Sequence, residues 1–237
     1  MCIVYSVKCS ETMIRTIQLI GEEAFERLQQ ARVILFGVGG VGGWCAEALL
    51  RTGVGHLTIV DFDTIDPSNL NRQVVSTAQN IGLSKVEEMR KRLLSIVPEA
   101  DVTAIERRYS DETAPLFDLS QYDLVIDAID DLDAKMRLIC EATRTEAVLF
   151  SSMGAGRKLD PQQIRVTEFW KVEGCPLARA LRTKMRKSGM LPAKKFQCVY
   201  SPEISGTQGT LAPVVGTFGF QLAALAIRAL ITPKTAV

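Results

Sequence analysis

Gly37, Gly39 and Gly42 stand at G-x-G-x-x-G spacing directly after the apolar run Val33-Ile34-Leu35-Phe36, with Gly40 between them. Missing side chains at these positions permit a tight turn, close approach of backbone to a phosphate, and tight packing of the helix that follows. That helix is expected from the next segment, because Val41, Trp44, Cys45, Ala48 and Leu49 share one face at a 3.6-residue period. Its first N–H groups and positive dipole end would face an anion. Asp61 closes the next apolar run about twenty residues on, where a carboxylate can accept hydrogen bonds from both ribose hydroxyls. The chemistry implied is nucleotide binding.

The polar residues farther along narrow the nucleotide. Asp63, the run Ser68-Asn69-Leu70-Asn71-Arg72-Gln73, the pair Ser84-Lys85, and Asp127 with Asp130 are more than a dinucleotide dehydrogenase needs. Arg72 can grip phosphate oxygens bidentately and Lys85 supplies a point charge, so the set suits a triphosphate and the neutralisation of charge in phosphoryl or nucleotidyl transfer. Ser84 and Glu87 fit an S-x-x-E capping box that would start a helix at Lys85. Asp130 is the expected Mg²⁺ ligand, because that ion takes one or two carboxylates together with substrate phosphates, and Asp131 and Asp133 are substitutes in the role. Asp127 has an equal reading as a cap on backbone amides at a strand end. His56, the one histidine, falls at the start of a strand and reads as structural, so no Ser-His-Asp or Cys-His arrangement supports hydrolase chemistry.

The elements that must position these groups are short apolar runs at 33–36, 57–60, 102–105, 124–129 and 148–150, most of them separated by helical patterns such as 84–96 and 134–145. Continuous rather than alternating hydrophobicity means both sheet faces are covered. The expected fold is α/β: a Rossmann-like, doubly wound, mainly parallel sheet with helices on both faces and ligands at the strands' carboxyl ends. Beyond Gly154 a β-like 164–169, a basic helical stretch, a short strand at 196–200 and an apolar segment from Leu211 form a C-terminal extension expected on the substrate side.

With 237 residues and 47% hydrophobic content, the chain suits one domain over 14–237, preceded by a loosely ordered extension, 1–13, that lacks the features of a signal peptide. The net charge of +1 hides an asymmetry. No acid occurs between Glu173 and Glu203, while Arg179, Arg182, Lys184, Arg186, Lys187, Lys194 and Lys195 do, making 171–200 a basic patch. Cysteines at 2, 9, 45, 140, 175 and 198 form no C-x-x-C pair, so neither a zinc site nor a disulfide framework is suggested, which fits a reducing, cytoplasmic setting. In 211–231 the only charge is Arg228, and Pro213, Gly216, Thr217, Gly219 and Gln221 interrupt the run. We read it as a core helix that also meets a partner subunit, in preference to a membrane span.

The ordered motifs G-V-G-G-V-G, D-F-D, S-N-L-N-R-Q, G-L-S-K and D-A-I-D resemble the adenylating domain of the ubiquitin-activating superfamily over residues 14–231. The resemblance implies that ATP is the nucleotide, held by Gly37, Gly39, Gly40, Gly42, Asp61 at the ribose, Asp63, and Asn69, Arg72 and Lys85 at the phosphates, with Mg²⁺ on Asp130. Arg15 looks like the arginine such proteins insert into a partner's site, which implies a homodimer. Two departures from the sulfur-carrier activators, the lack of paired C-x-x-C motifs and the presence of Ser151-Ser152-Met153-Gly154-Ala155-Gly156 followed by Asp160-Pro161-Gln162-Gln163-Ile164, point to another branch. With the basic stretch and Cys198-Val199-Tyr200-Ser201-Pro202-Glu203, they resemble the tRNA threonylcarbamoyladenosine dehydratase family. That resemblance implies ATP-dependent cyclisation of the modified nucleoside, by adenylation of its carboxylate and attack by a carbamoyl nitrogen, with Arg15, Arg72, Lys85 and Asp130 in the catalytic set. The basic stretch has two readings of its own: a solvated helix, or a seat for tRNA phosphates on Arg182, Arg186 and nearby lysines. Cys198 has two readings: a reactive thiol, lowered in pKa by lysines and served by a sulfur-transfer partner protein, or a strand cysteine. Adenylation of a diglycine-ended sulfur carrier is the alternative activity, and a nicotinamide dehydrogenase is a third.

Overall fold

A computed structural model describes residues 13–233. The proposed extension 1–13 therefore lies outside the described residues except for Met13, which is buried and accepts the Ile17 N–H. Two short helices, α1 (Ile14–Ile20) and α2 (Glu22–Gln30), lead into the alternating core: β1 (Arg32–Phe36), α3 (Gly40–Thr52), β2 (His56–Asp61), α4 (Lys85–Ile96), β3 (Asp101–Glu106), β4 (Leu124–Asp127), α5 (Leu132–Ala142) and β5 (Val148–Ser152). There follow β6 (Arg165–Glu168), α6 (Pro176–Ser188), β7 (Gln197–Tyr200) and α7 (Ala212–Ile231). The strands join in one sheet of order β3-β2-β1-β4-β5-β7-β6, parallel except for β6, which runs antiparallel to β7. The expected α/β architecture is what forms.

Successive side chains of a strand point to opposite faces, so each apolar run feeds two cores. Val33, Leu35, Leu57, Ile59, Leu124 and Ile126 pack under α3, α4 and α7. Ile34, Phe36, Val60 and Val125 pack under α5 and α6. Helix α7 is long and apolar enough to cross a membrane by composition, yet Val214, Val215, Phe218, Leu222, Ala223 and Ala226 are buried in the first of these cores. Trp44 of α3 meets Phe220 at 5.8 Å between ring centroids. Its apolarity is used in packing, as the core-helix reading expected.

Three local expectations are corrected. The fourth strand ends at Asp127 rather than Ile129, because the Asp127 carboxylate accepts the Ile129 N–H at 3.1 Å and turns the chain out of the ladder. Helix α5 begins earlier than 134, since Asp131 caps it by accepting the Asp133 and Ala134 N–H groups. The Ser84–Glu87 capping box does not form. The Ser84 hydroxyl is buried without a hydrogen-bond partner among the described residues, and the start of α4 is held by the Thr64–Ser84 bridge and by Lys85 N–H donating to the Asp63 carbonyl at 3.0 Å.

The glycines of the first turn do different work. Gly37 has φ +87°, and a Cβ there would lie 2.7 Å from the Ala128 carbonyl oxygen; at Gly42 a Cβ would lie 1.7 Å from the Gly37 oxygen. Gly39 is open, with nothing nearer a built Cβ than Gln73 Nε2 at 3.7 Å. We expect Gly42→Ala to lower unfolding free energy by about 3 kcal/mol or more in urea titrations, because backbone must move to admit the methyl. Gly39→Ala should unfold like the parent protein and instead lose nucleotide affinity in a titration, since its methyl would occupy the space of the phosphate.

Candidate active site

The carboxyl ends of β1, β2 and β4 open into one cleft of about 700 Å³ lined by Gly37, Gly39, Gly40, Asp61, Asp63, Asn69, Arg72, Lys85 and Asp130. Its position follows from topology: β1 is flanked by β2 and β4, so the chain leaves β1 where strand order reverses and a crevice must form. Helix α3 starts at the crevice with no side-chain cap on Gly39, which leaves its first N–H groups for an anion. Asp61 ties the two turns together, accepting Val38 N–H at 2.8 Å on one oxygen and Asp63 N–H at 2.9 Å on the other. Burial pushes its carboxyl upward in pKa, opposed by those two bonds and by the Lys85 charge.

Asn69 sits in the 3₁₀ turn Pro67–Asn69, where its side chain accepts the Asp66 N–H and the Asp66 carboxylate caps the turn in return. This reciprocal cap aims Arg72 from the following turn. The Arg72 guanidinium donates to the Ser68 carbonyl at 2.6 Å and to Asn71 Oδ1 at 2.9 Å, and Trp44 Nε1 holds the Arg72 carbonyl at 3.2 Å. Lys85 is buried to 7% side-chain exposure and pairs with half-exposed Asp63 at 2.7 Å. The chain thus fixes two cations along the glycine turn, as a polyphosphate requires.

Beneath the opposite wall lies a network that sequence reasoning missed. Asp127 and Lys135 are wholly buried and paired at 2.8 Å; Ser151 donates to Asp127 at 2.6 Å, and Lys135 donates to the Ile129 carbonyl at 2.8 Å. The network clamps both ends of the turn that presents Asp130. Asp130 itself is exposed to the cleft and has no ion pair among the described residues. The carboxylates named beside it are engaged: Asp131 caps α5 and pairs with Arg108 at 2.9 Å, and Asp133 pairs with Lys184. Among the described residues no three metal-ligating side chains gather. One carboxylate facing a phosphate site is the donor set that suits Mg²⁺, which keeps waters and takes the rest from the nucleotide.

The far wall is built by Ser152 at the end of β5, by Met153, Gly154, Ala155 and Gly156 after it, by Leu177 of α6, and by Thr210 and Val215. Asn71 Nδ2 donates to the Thr210 carbonyl at 3.0 Å and so joins this wall to the phosphate wall. Arg107 and Arg108 also line the cleft, with the Arg108 guanidinium 5.2 Å from the Phe62 ring centroid. They were legible in principle, since they follow β3 directly at its carboxyl end.

The ThiF family model matches residues 12–236. The chain belongs to the ThiF family. A tRNA threonylcarbamoyladenosine dehydratase of Bacillus subtilis is 40% identical over 184 residues, covering 78% of this chain and 72% of that one. The crystal structure of the Escherichia coli tRNA N6-threonylcarbamoyladenosine dehydratase in complex with ATP superposes with a TM-score of 0.88 at 34% identity, covering 96% of this chain and 97% of that one. Molybdopterin-synthase adenylyltransferase of Escherichia coli is 31% identical over 221 residues, covering 93% of this chain and 80% of that one. Within the ThiF family, the chain belongs with the dehydratases.

Some residues singled out in this ThiF-family sequence lie elsewhere. Arg15 is exposed on α1 and does not line the cleft of its own chain. Cys198 lies wholly buried in β7, opposite Ser151 of β5. Burial pushes its thiol well above the ordinary range; Lys135 works the other way and is outweighed, so the expected lowering by lysines does not occur. Cys45, Cys140 and Cys175 are likewise buried free thiols, and Cys2 and Cys9 lie outside the described residues. Arg182 is half-buried, and its Nη1 donates to the Phe169 and Val172 carbonyls, bracing the segment before α6.

Replacing Lys135 with Met should destabilise the protein by about 3–5 kcal/mol in denaturant titration, because Asp127 stays buried without its cation. Iodoacetamide at pH 8 should leave Cys198 unmodified in the native protein and label it after unfolding, as read by peptide mass spectrometry.

Proposed function

We propose that this chain uses ATP to cyclise N6-threonylcarbamoyladenosine in tRNA, with loss of one water from the nucleoside. The observation that carries the reading is that a single cleft joins the nucleotide set, from Gly37 to Lys85, to a second wall at 152–156 and Leu177. Its volume of about 700 Å³ lies within the range of small-molecule sites and leaves room beside a nucleotide for an acyl group. The relatives' names and the ATP and AMP held by the Escherichia coli dehydratase support the same activity.

The threonyl carboxylate oxygen attacks the α-phosphorus and pyrophosphate leaves. A carbamoyl nitrogen then attacks the adenylated carbonyl carbon, the carbonyl–oxygen bond to AMP breaks, and the nitrogen's proton passes to solvent. The oxygen lost from the nucleoside leaves in AMP. Because the second nucleophile belongs to the substrate, the protein needs to supply position and charge. Arg72 and Lys85 neutralise the phosphates, the start of α3 receives them, and Asp61 orients the ribose. Asp130 would hold Mg²⁺, which supplies further charge neutralisation when bound.

The homodimer rests on the resemblance that gives Arg15 to a partner's site; Arg15 is exposed on α1 and does not line the cleft of its own chain. The second reading, adenylation of a diglycine-ended carrier protein, rests on the 31% identity with the molybdopterin-synthase adenylyltransferase and uses the same ATP residues. A sulfur-transfer partner for Cys198 finds no support in a buried thiol. A tRNA substrate also makes the cytoplasm the proposed compartment.

Pyrophosphate exchange separates the two substrates. Threonylcarbamoyladenosine-bearing tRNA should stimulate it and a carrier protein should not, with the nucleoside losing the mass of one water. Arg72→Ala and Lys85→Ala should stay folded and fall about 100-fold in adenylation, roughly 3 kcal/mol of transition-state stabilisation. A full-rate variant overturns the assignment of that residue.

A further inference from the structure

We infer that the exposed stripe Arg179–Thr183–Lys187 of α6, flanked by Arg186, is the seat of the tRNA backbone that leads the modified nucleotide into the cleft. The inference rests on the proposed dehydratase reading and says which surface holds the RNA.

Helix α6 has one end in the active site. Leu177, in its first turn, lines the cleft, and its Cβ lies 3.6 Å from where a Cβ on Gly154 would stand. From there the helix runs outward with Ala178, Leu181 and Met185 buried beneath it. Its opposite face is the solvent face. At 100° per residue, Arg186, Arg179, Thr183 and Lys187 fall within about one quarter of the helix circumference, centred opposite those three core residues. All four are exposed.

The stripe is also where the basic charge is uncommitted. Of the cations near it, Arg182 is bound to two carbonyls, Lys184 to Asp133, and Lys194 to the Thr145 and Ala147 carbonyls. Arg179 and Lys187 have no ion pair among the described residues, and Arg186 lies 5.4 Å over the Trp170 ring, which steadies it at the surface. Steps of four residues along the stripe rise about 6 Å each, so Arg179, Thr183 and Lys187 present donors at regular intervals. A helix with no acid of its own, in a stretch without acids between Glu173 and Glu203, fits a polyanion, and its start at the cleft suits a substrate that is one nucleotide of a long chain. Backbone contact needs no base readout. The nucleoside is recognised within the cleft.

The test is the double variant Arg179→Glu/Lys187→Glu, with tRNA binding measured by filter retention across a salt series and ATP binding measured in parallel. Wild-type protein should bind tRNA with a steep salt dependence. The variant should bind at least about tenfold more weakly, with the slope of log K against log salt reduced by about two, one for each phosphate contact removed. Its ATP affinity should be unchanged, which shows an intact fold. A variant that binds tRNA like wild type overturns the inference and leaves the dehydratase reading standing. Wild-type protein that fails to bind tRNA but binds a carrier protein through this helix overturns both.

Discussion

The cleft depends on how closely the turn after β1 interlocks with the turn after β4. Ala128 N–H donates to the Phe36 carbonyl at 2.8 Å, and its own carbonyl stands where residue 37 has no space for a side chain. The interlock sets the distance between the phosphate-receiving start of α3 and the acidic turn at Asp130. Neither turn is held by it alone. Asp61 pulls the first toward β2 through Val38, while Asp127 and Lys135 anchor the second from below. A parallel sheet already brings these strand ends together; the interlock turns a general crevice into one of fixed width.

The charges in the cleft show how a site for a polyphosphate is kept intact before the polyphosphate arrives. Lys85, Arg72 and Arg108 are each held by a partner that leaves donors over. Lys85 gives one proton to Asp63 and has two more; Arg72 is steadied by Ser68 and Asn71 on one nitrogen and keeps the rest of its fork. Arg108 is pinned by Asp131. Side chains placed in this way need no reorganisation when charge develops on the phosphates, and electrostatic stabilisation of that sort is commonly the largest part of catalysis. The buried pair Asp127–Lys135 has a different role. It touches no cleft surface and fixes the backbone that does.

What the sequence discloses here is what depends on near neighbours. The run 33–36 with the glycines behind it is a local pattern with a single geometric solution, and Asp61 follows from its place at the end of the next strand. Ordered motifs carried Asn69, Arg72, Lys85 and Asp130 to one cleft before any coordinates. Pairings set by the tertiary fold stayed hidden. Ser84 has the spacing of a cap, but a bridge to Thr64 starts the helix without its hydroxyl. Nothing local in the sequence marks Lys135, and only the sheet beneath it shows that it is buried against Asp127. Of the two readings of Cys198, the strand cysteine is the one that β7 matches, since it takes that residue inside the sheet, where desolvation outweighs the nearby charge of Lys135. Arg182 is the same lesson on α6, a cation in a basic run whose partners are carbonyls from a preceding turn.

The chemistry explains why so little of the second wall is reactive. An acyl adenylate is prone to hydrolysis, and in the proposed reaction its productive fate is attack by a nitrogen already joined to the same nucleoside. Intramolecular attack in a held geometry gains the advantage that a positioned enzyme nucleophile would otherwise provide. What the protein must still do is keep water away while the ring closes. The wall opposite the phosphates suits that requirement: Met153, Ala155 and Val215 are buried apolar residues, Leu177 adds a further apolar surface, and the glycines at 154 and 156 keep the backbone close. A reactive cysteine in that wall would divert the acyl group into a thioester, a detour that a substrate with its own nucleophile does not need. The burial of Cys198 one strand away from the cleft agrees with the proposed reaction, in which the protein positions and shields and the nucleoside completes its own ring.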